Sequence, residues 1–334
     1  MSKLSFSLWN DLDRFDSADS NVRPESYLGK QAAYLEYGPV FFRNEISFSA
    51  FRLQAEVAIP GKAGFIGFVF GAKDSQNYEL IYLAPEEIQY DPVMNGSNTW
   101  QIYHGEAYRR GLPTMSGKWV TLAVEVQPNG ASVYLGDEVS PRLVISNLQH
   151  GTPVGKIGFW GYLTTYIRNM TVEEIQPAPI LEKGKEDRKR LEAETFVTEW
   201  VISPAAENRW TTAVVEENGT LNFNRFYPVE QGGSAVAKCS FFLPEEKEST
   251  LSFGFSDHLR LWVNEEWIYE GECRWQPPES DGRIRADFAR VPVRWRAGVN
   301  TIRAEVTNHE RFGWGLCVKT GLSDVSFLTE EIEG

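Results

Sequence analysis

Two stretches of this chain gather residues suited to recognition chemistry. Gly96–Arg110 (GSNTWQIYHGEAYRR) brings Trp100, Tyr103, His104, Tyr108, Arg109 and Arg110 close together. Sugars are recognised by stacking their C–H faces on aromatic rings, with fixed polar groups around the hydroxyls. Gly271–Arg290 (GECRWQPPESDGRIRADFAR) holds Arg274, Trp275, Asp281, Arg283, Arg285, Asp287 and Arg290. It is long for a hairpin connection, and such loops are disproportionately functional. Trp275 flanked by Arg283 and Arg285 suits stacking a sugar or clasping an acidic one. Tyr269 and His309 are lesser candidates. Each stretch also has a structural reading. The first suits a β-hairpin whose Trp and Tyr pack inward while the arginines are solvated. The second suits a domain contact in which arginines meet acids of the other half.

No catalytic residue is predicted. His104 has no Cys or second His nearby, which makes a weak case for nucleophilic or acid–base work. No GxSxG, HExxH, P-loop or GxGxxG context occurs. No metal and no cofactor are expected. Asp11 and Asp13 have DxD spacing, yet the Gly and terminal Glu of an EF-hand are missing. Cys239, Cys273 and Cys317 are odd in number, far apart and without CxxC spacing. Reduced, buried thiols are expected, with neither a disulfide framework nor a zinc site.

A net charge of −13 repels phosphate backbones, so nucleic acid is not an expected partner. No apolar run approaches the ~18 residues that span a bilayer, which argues against a membrane partner. The N-terminus places acids where a signal peptide needs a continuous apolar region, so a cytoplasmic location is expected. Carbohydrate is the expected partner, and a homo-oligomer is compatible with the sequence.

The elements that must position these residues are strands. At 334 residues with 11 Trp and 20 Phe, the chain suits two β-sandwich cores. The expected fold class is all-β, with two antiparallel sandwiches at 1–175 and 195–334. Between them, 176–194 reads as a Pro-containing charged linker, extended over Gln176–Pro179. A short solvated helical turn follows, with Glu186/Arg190 and Asp187/Arg190 at helical spacing. Strand signals begin at Tyr34, after a polar, irregular 1–30. Phe48–Ile59, Ala63–Ala72, Asn77–Leu83, Trp119–Val126, Ala131–Leu135, Lys156–Gly161 and Thr165–Val172 follow. The second half adds Thr220–Phe226, Ala235–Leu243, Thr250–Phe255, a hairpin over His258–Tyr269, Arg290–Trp295, Thr301–Thr307 and Trp314–Lys319. A solvated loop is expected at Lys247.

The progression NYELIYL (from Asn77), WQIYH (from Trp100), GKWVTLAVEV (from Gly117), ASVYL (from Ala131) and GKIGFW (from Gly155) resembles the concanavalin A-like, laminin-G-type jelly roll over about residues 30–175. Many relatives of that family bind or cleave carbohydrate, but fold alone confers neither activity. Laminarinase-type members carry an ExDxxE strand. Glu86-Glu-Ile-Gln-Tyr-Asp91 lacks that spacing and is flanked by Pro85 and Pro92. Residues Phe255–Gly271, Val291–Asn308 and Trp314–Val318 are similar to the galactose-binding-like jelly-roll accessory domain of glycoside hydrolases, over about 196–325. Glu265 stands where that family usually places Gly, which predicts a longer turn here. In that family the domain is more often scaffold than sugar site.

The leading expectation is a non-catalytic, carbohydrate-binding or carbohydrate-associated two-domain protein. One alternative is a glycoside hydrolase or lyase with a site at the domain interface, drawing on acids such as Glu106, Asp257 or Asp281. The other is a structural or assembly module.

Overall fold

The computed structural model describes residues 2–178, 184–323 and 325–328; the side chains of 184–186 and 326 lie outside that description. The chain divides into two compact units, Met1–Val93 with Tyr103–Lys183, and Met94–Ile102 with Gly184–Gly334. Each is an antiparallel β-sandwich. The Met94–Ile102 segment, read in sequence as part of the first half, belongs to the second unit.

In the first unit the hydrogen-bonded order is Leu143–Ile145, Ala131–Leu135, Trp119–Val126, Phe51–Ala58, Lys156–Glu174, Phe65–Asp74, Asn77–Ala84, Glu87–Tyr90 and Arg109–Gly111. Alternation sets the faces: Phe51, Leu53, Ala55 and Val57 are buried while Arg52, Gln54 and Glu56 remain half-exposed. Sequence predicts two strands at Lys156–Gly161 and Thr165–Val172, but the structure has one, Lys156–Glu174. It pairs with Phe65–Asp74 as far as Tyr162 and with Phe51–Ala58 from Tyr166 onward, so one strand takes two partners in succession. Its register with Lys30–Phe42 shifts between Tyr162 and Thr165, where Leu163 takes φ +61. A bulge bends a strand without ending it.

Residues 1–30 do more than a solvated arm would. Lys3–Phe6 pairs with the long strand, and Asn21–Tyr27 forms a hairpin with Lys30–Phe42. Phe6 and Phe15 are buried against Phe42 and Phe159, with neighbouring ring centroids 5.0 to 5.6 Å apart. Each fully buried Phe contributes about 2 kcal/mol. These apolar residues are too widely spaced among aspartates to show a period.

The second unit stacks two sheets. One runs Thr211–Val214, Glu199–Pro204, Ser234–Leu243, Gly298–Thr307, His258–Val263 and Glu266–Glu272, with Ser326–Leu328 also on Ser234–Leu243. The other runs Leu221–Asn222, Gly315–Lys319, Lys247–Ser256 and Ala289–Trp295. Ala237, Phe241, Leu261, Ile302 and Ala304 face Leu251, Phe253, Phe255, Trp295 and Leu316 in one core. Lys247 begins a strand and is not in a loop. The expected strand over Thr220–Phe226 is two residues, Leu221–Asn222, followed by a 3-10 turn at Phe223–Arg225 that Asn222 caps.

The hairpin at Glu265 differs from expectation. Val263 sits opposite Glu266, so Asn264 and Glu265 alone make the turn, at φ +50 and +71. Asn264 enforces it, since its Oδ1 accepts from Thr301 N at 2.9 Å and its Nδ2 donates to Asn300 Oδ1 at 2.8 Å.

The charged segment forms a helix at Gly184–Ala193. Arg190 pairs with Asp187 at 3.8 Å and with Glu194 at 3.2 Å. Leu191 is buried, so one side of the helix is not solvated. The expected Glu186–Arg190 pair and the end of the extended run at Pro179 lie outside the described residues. All three cysteines are buried. Burial pushes the Cys273 thiol up to about 11 and that of Cys317 up to about 12.

Candidate functional site

The second unit gathers Trp100, Trp275 and Arg283 through a residue that sequence reasoning did not single out. Gln101 N donates to Phe312 O at 3.0 Å, and Gln101 O accepts from Ile284 N at 2.9 Å. The Gln101 side chain donates from Nε2 to Glu310 Oε2 at 3.1 Å and accepts from Ser256 Oγ at 2.9 Å. Gln101 is wholly buried and joins the Met94–Ile102 segment, the Gly271–Arg290 loop and the Asn308–Trp314 turn. Two glycines make room. A Cβ on Gly282, which takes φ +66, would lie 2.3 Å from Gln101 Nε2. A Cβ on Gly254 would lie 2.0 Å from Arg285 O, so that loop crosses the sheet only over a bare backbone.

The rings follow from this scaffold. Phe312 packs against Trp100 at 5.5 Å and edge-on to Trp275 at 6.3 Å. The Arg283 guanidinium lies 5.3 Å from the Trp100 ring centroid. Trp100 is half-buried, whereas Trp275 is 50% exposed. The loop holding Trp275 is a two-stranded ribbon, Trp275–Gln276 against Ser280–Asp281. Asp281 closes it: Oδ1 accepts from Arg283 N at 3.1 Å, and its carboxylate takes both the Arg283 and Arg285 side chains. The Arg285 hydrogen bonds hold the Asp281 carboxyl well below the usual aspartate range.

Two further carboxyl groups lie under the ribbon. Asp257 is fully buried, and its Oδ2 accepts from His309 N at 2.5 Å and Glu310 N at 2.7 Å. Glu310 Oε2 accepts from Trp275 N at 3.0 Å as well as from Gln101. The Glu310 carboxyl lies close enough to Asp257 for the two charges to act on each other. Burial, and then the charge on Asp257, push the Glu310 carboxyl above its ordinary value.

No protein-family model matches the chain, and no curated protein matches it. Solved structures do. The carbohydrate binding module CBM66 from Bacillus subtilis is 15% identical, over 48% of this chain and 95% of that one, at a TM-score of 0.38. A protein of unknown function with galectin-like fold, also from Bacillus subtilis, is 9% identical over 52% and 96%, at 0.39. The exoplasmic/lumenal domain of VIP36 is 12% identical over 55% and 92%, at 0.36. The sandwich architecture described above rests on strand pairing and buried faces, not on these likenesses.

The remaining predicted residues group in the first unit, where most have structural roles. Tyr103 and Tyr108 are buried and pack on each other and on Tyr90. Tyr90 Oη donates to the buried Glu79 carboxylate at 2.5 Å, and burial followed by Glu79 pushes the phenol well above its ordinary value. His104 is half-buried. Arg109 pairs with Glu87 at 2.7 Å, and the exposed Arg110 donates from Nε to Arg142 O at 3.2 Å. The stretch is not a hairpin: of its residues only Arg109 and Arg110 are in a strand. A cleft of about 390 Å³ nearby is lined by Leu112, Met115, Trp119, Leu135 and the Glu138–Arg142 pair, and holds none of the predicted site residues. Tyr269 packs against Phe253 and Phe255.

Sequence reasoning missed Gln101, Glu310 and Phe312. The run His309-Glu-Arg-Phe-Gly313, which breaks strand alternation with charges and an aromatic, is the one local signal that points to them.

Proposed function

We propose that this chain is a non-catalytic carbohydrate-recognition protein whose contact surface is the Trp275, Phe312 and Trp100 group of the second unit. The observation that carries this reading is Trp275 itself. It leaves half its surface to solvent, while its backbone N–H is pinned by Glu310 and its ring rests on Phe312. A large exposed ring held in place is a costly feature without a ligand, and a pre-ordered ring loses little entropy on binding. Arg283, Arg285, Asp281 and Glu310 supply polar groups around it. In this reading the first unit is a concanavalin A-like sandwich and the second a galactose-binding-like one, with boundaries near 175 and 195. Its support is the strand progression quoted above.

The acids favour binding over hydrolysis. Retaining glycosidases need two carboxyls about 5–5.5 Å apart with room for a sugar. Asp257 instead is enclosed and held by the backbone amides of His309 and Glu310, the Glu310 carboxyl accepts from Trp275 N and Gln101, and Asp281 is taken up by two arginines.

A thermal-shift screen of the intact protein against mono- and oligosaccharides tests this reading. The expected result is a rise of several degrees that Trp275→Ala abolishes and Arg110→Ala in the first unit leaves intact. A rise untouched by Trp275→Ala would remove the site, and a flat screen would remove the function in favour of an assembly role.

A further inference from the structure

The acid beside Trp275 is already neutralised. Trp275 and Asp281 are directly opposed in the ribbon, so their side chains leave the same face as neighbours. Asp281 keeps 39% of its side chain exposed, which puts it within reach of a ligand stacked on the ring. Its carboxylate takes Arg283 at 3.0 Å and Arg285 through two hydrogen bonds. Glu310 Oε2 accepts from Trp275 N and from Gln101 Nε2, and Glu272 is paired with Arg274 at 2.9 Å. The formal charges cancel element by element. Gly271–Arg290 carries four arginines and four acids, Asn308–Trp314 one of each with His309 neutral, and Met94–Ile102 none. Glu279 sits in the turn at the tip of the ribbon, beyond the Gln276–Ser280 pair.

We infer that the Trp275 surface takes an uncharged saccharide and discriminates against its uronate and amino-sugar counterparts. The inference rests on the recognition reading and adds the ligand's charge class to it. A hydroxyl both donates and accepts, so it joins the Asp281–Arg285 pair through the carboxylate's remaining lone pairs and the guanidinium's remaining N–H groups, and it breaks nothing. A charged substituent must instead displace a partner that is already bonded. A uronate carboxylate competes with Asp281 for Arg285 and is brought up against Asp281 itself. An ammonium competes with two arginines for Asp281. Like charges brought together in this way reject the wrong partner. The exposed half of the Trp275 ring supplies the attraction that all three kinds of sugar share.

The test is calorimetric titration of the intact protein with tetramers of glucose, galactose and mannose, and with the uronate and the amino-sugar counterpart of each. Trp275→Ala and Asp281→Asn are run alongside. The tightest neutral tetramer should bind at least about tenfold better than either of its charged counterparts. Its affinity should change less than about twofold between ~0.05 and ~0.5 M salt, a range over which an ion pair with the ligand would be screened. Asp281→Asn leaves Arg283 and Arg285 without their carboxylate. It should therefore move the uronate-to-neutral affinity ratio at least about tenfold toward the uronate, even as the looser ribbon weakens both. A charged tetramer that binds as tightly as its neutral counterpart, with Trp275→Ala still abolishing binding, would overturn the inference and leave the recognition reading standing. A ratio that Asp281→Asn leaves unchanged would overturn it as well. If no tetramer binds, both fall.

Discussion

The Glu310 backbone N–H donates to Asp257 Oδ2 at 2.7 Å, and burial together with the charge on Asp257 pushes the carboxyl of Glu310 itself above its ordinary value. Side-chain donors around Asp257 are few. Ser256 Oγ has one hydrogen and three acceptors in reach: Asp257 Oδ1, Gln101 Oε1 and Cys273 O. The raised carboxyl of Glu310 keeps its proton to higher pH than a free glutamate, which avoids a second negative charge beside Asp257.

A pH dependence follows from that proton. In the unfolded chain Glu310 titrates near 4.5, and in the folded protein it titrates higher. As pH rises from 4.5 through the folded value, the unfolded state gives up its proton first, so folding stability declines across that window. Glu310→Gln keeps the neutral hydrogen-bonding shape and should flatten this decline in denaturant unfolding measured from pH 4 to pH 8. An unchanged slope in the variant would remove Glu310 as its source.

Asp281 works in the opposite direction. Its carboxyl is held below the ordinary value of 3.8, chiefly by Arg285 and then by the Arg283 hydrogen bonds, against an opposing cost of burial. The stability it contributes is present above 3.8 and lost as pH falls through the folded value. Asp281→Asn should therefore remove part of the acid-side loss. At neutral pH it should cost about 1 kcal/mol, since the carboxylate is more than a third exposed. The same variant should weaken ligand binding more than stability, because it frees the ribbon that carries Trp275.

The strands were far more legible than the site. Leu251, Phe253 and Phe255 alternate and are all buried, because a two-residue period is a local property that burial on one face imposes. The Lys156–Glu174 strand was read as two because its bulge residues look like a turn from within the chain. The site is non-local: Gln101 and Glu310 are 209 positions apart. Trp100 and Trp275 were visible as residue types, but nothing in their neighbours says that Gln101 ties both to Phe312. Tyr103 and Tyr108 looked equally site-like, and only their burial against Tyr90 separates them from Trp275.

Gly254 tests whether the loop's path matters. The Arg285 carbonyl lies where a Cβ on Gly254 would be, and both are backbone, so no side chain can swing aside. Gly254→Ala should push the Ile284–Arg285 segment off the sheet at a cost of about 3 kcal/mol. Loss of sugar binding should accompany the fall in melting temperature. A variant with wild-type stability and binding would mean that the loop does not lie on Gly254.

Glu265 offers the converse, a change expected to stabilise. It is exposed, yet it takes φ +71 because the Asn264 hydrogen bonds to Thr301 and Asn300 close the hairpin in two residues. A left-handed conformation costs an ordinary L-residue about 1–2 kcal/mol, whereas glycine adopts it freely. Against that gain, glycine adds freedom to the unfolded chain, which returns up to about 1 kcal/mol. Glu265→Gly should therefore raise stability by about 0.5–1 kcal/mol in urea unfolding, with an unchanged denaturant slope. Glu265→Ala keeps the strain, makes no change in the turn and should give no such gain. A destabilised glycine variant would mean that Glu265 holds the hairpin by its side chain and not despite its backbone.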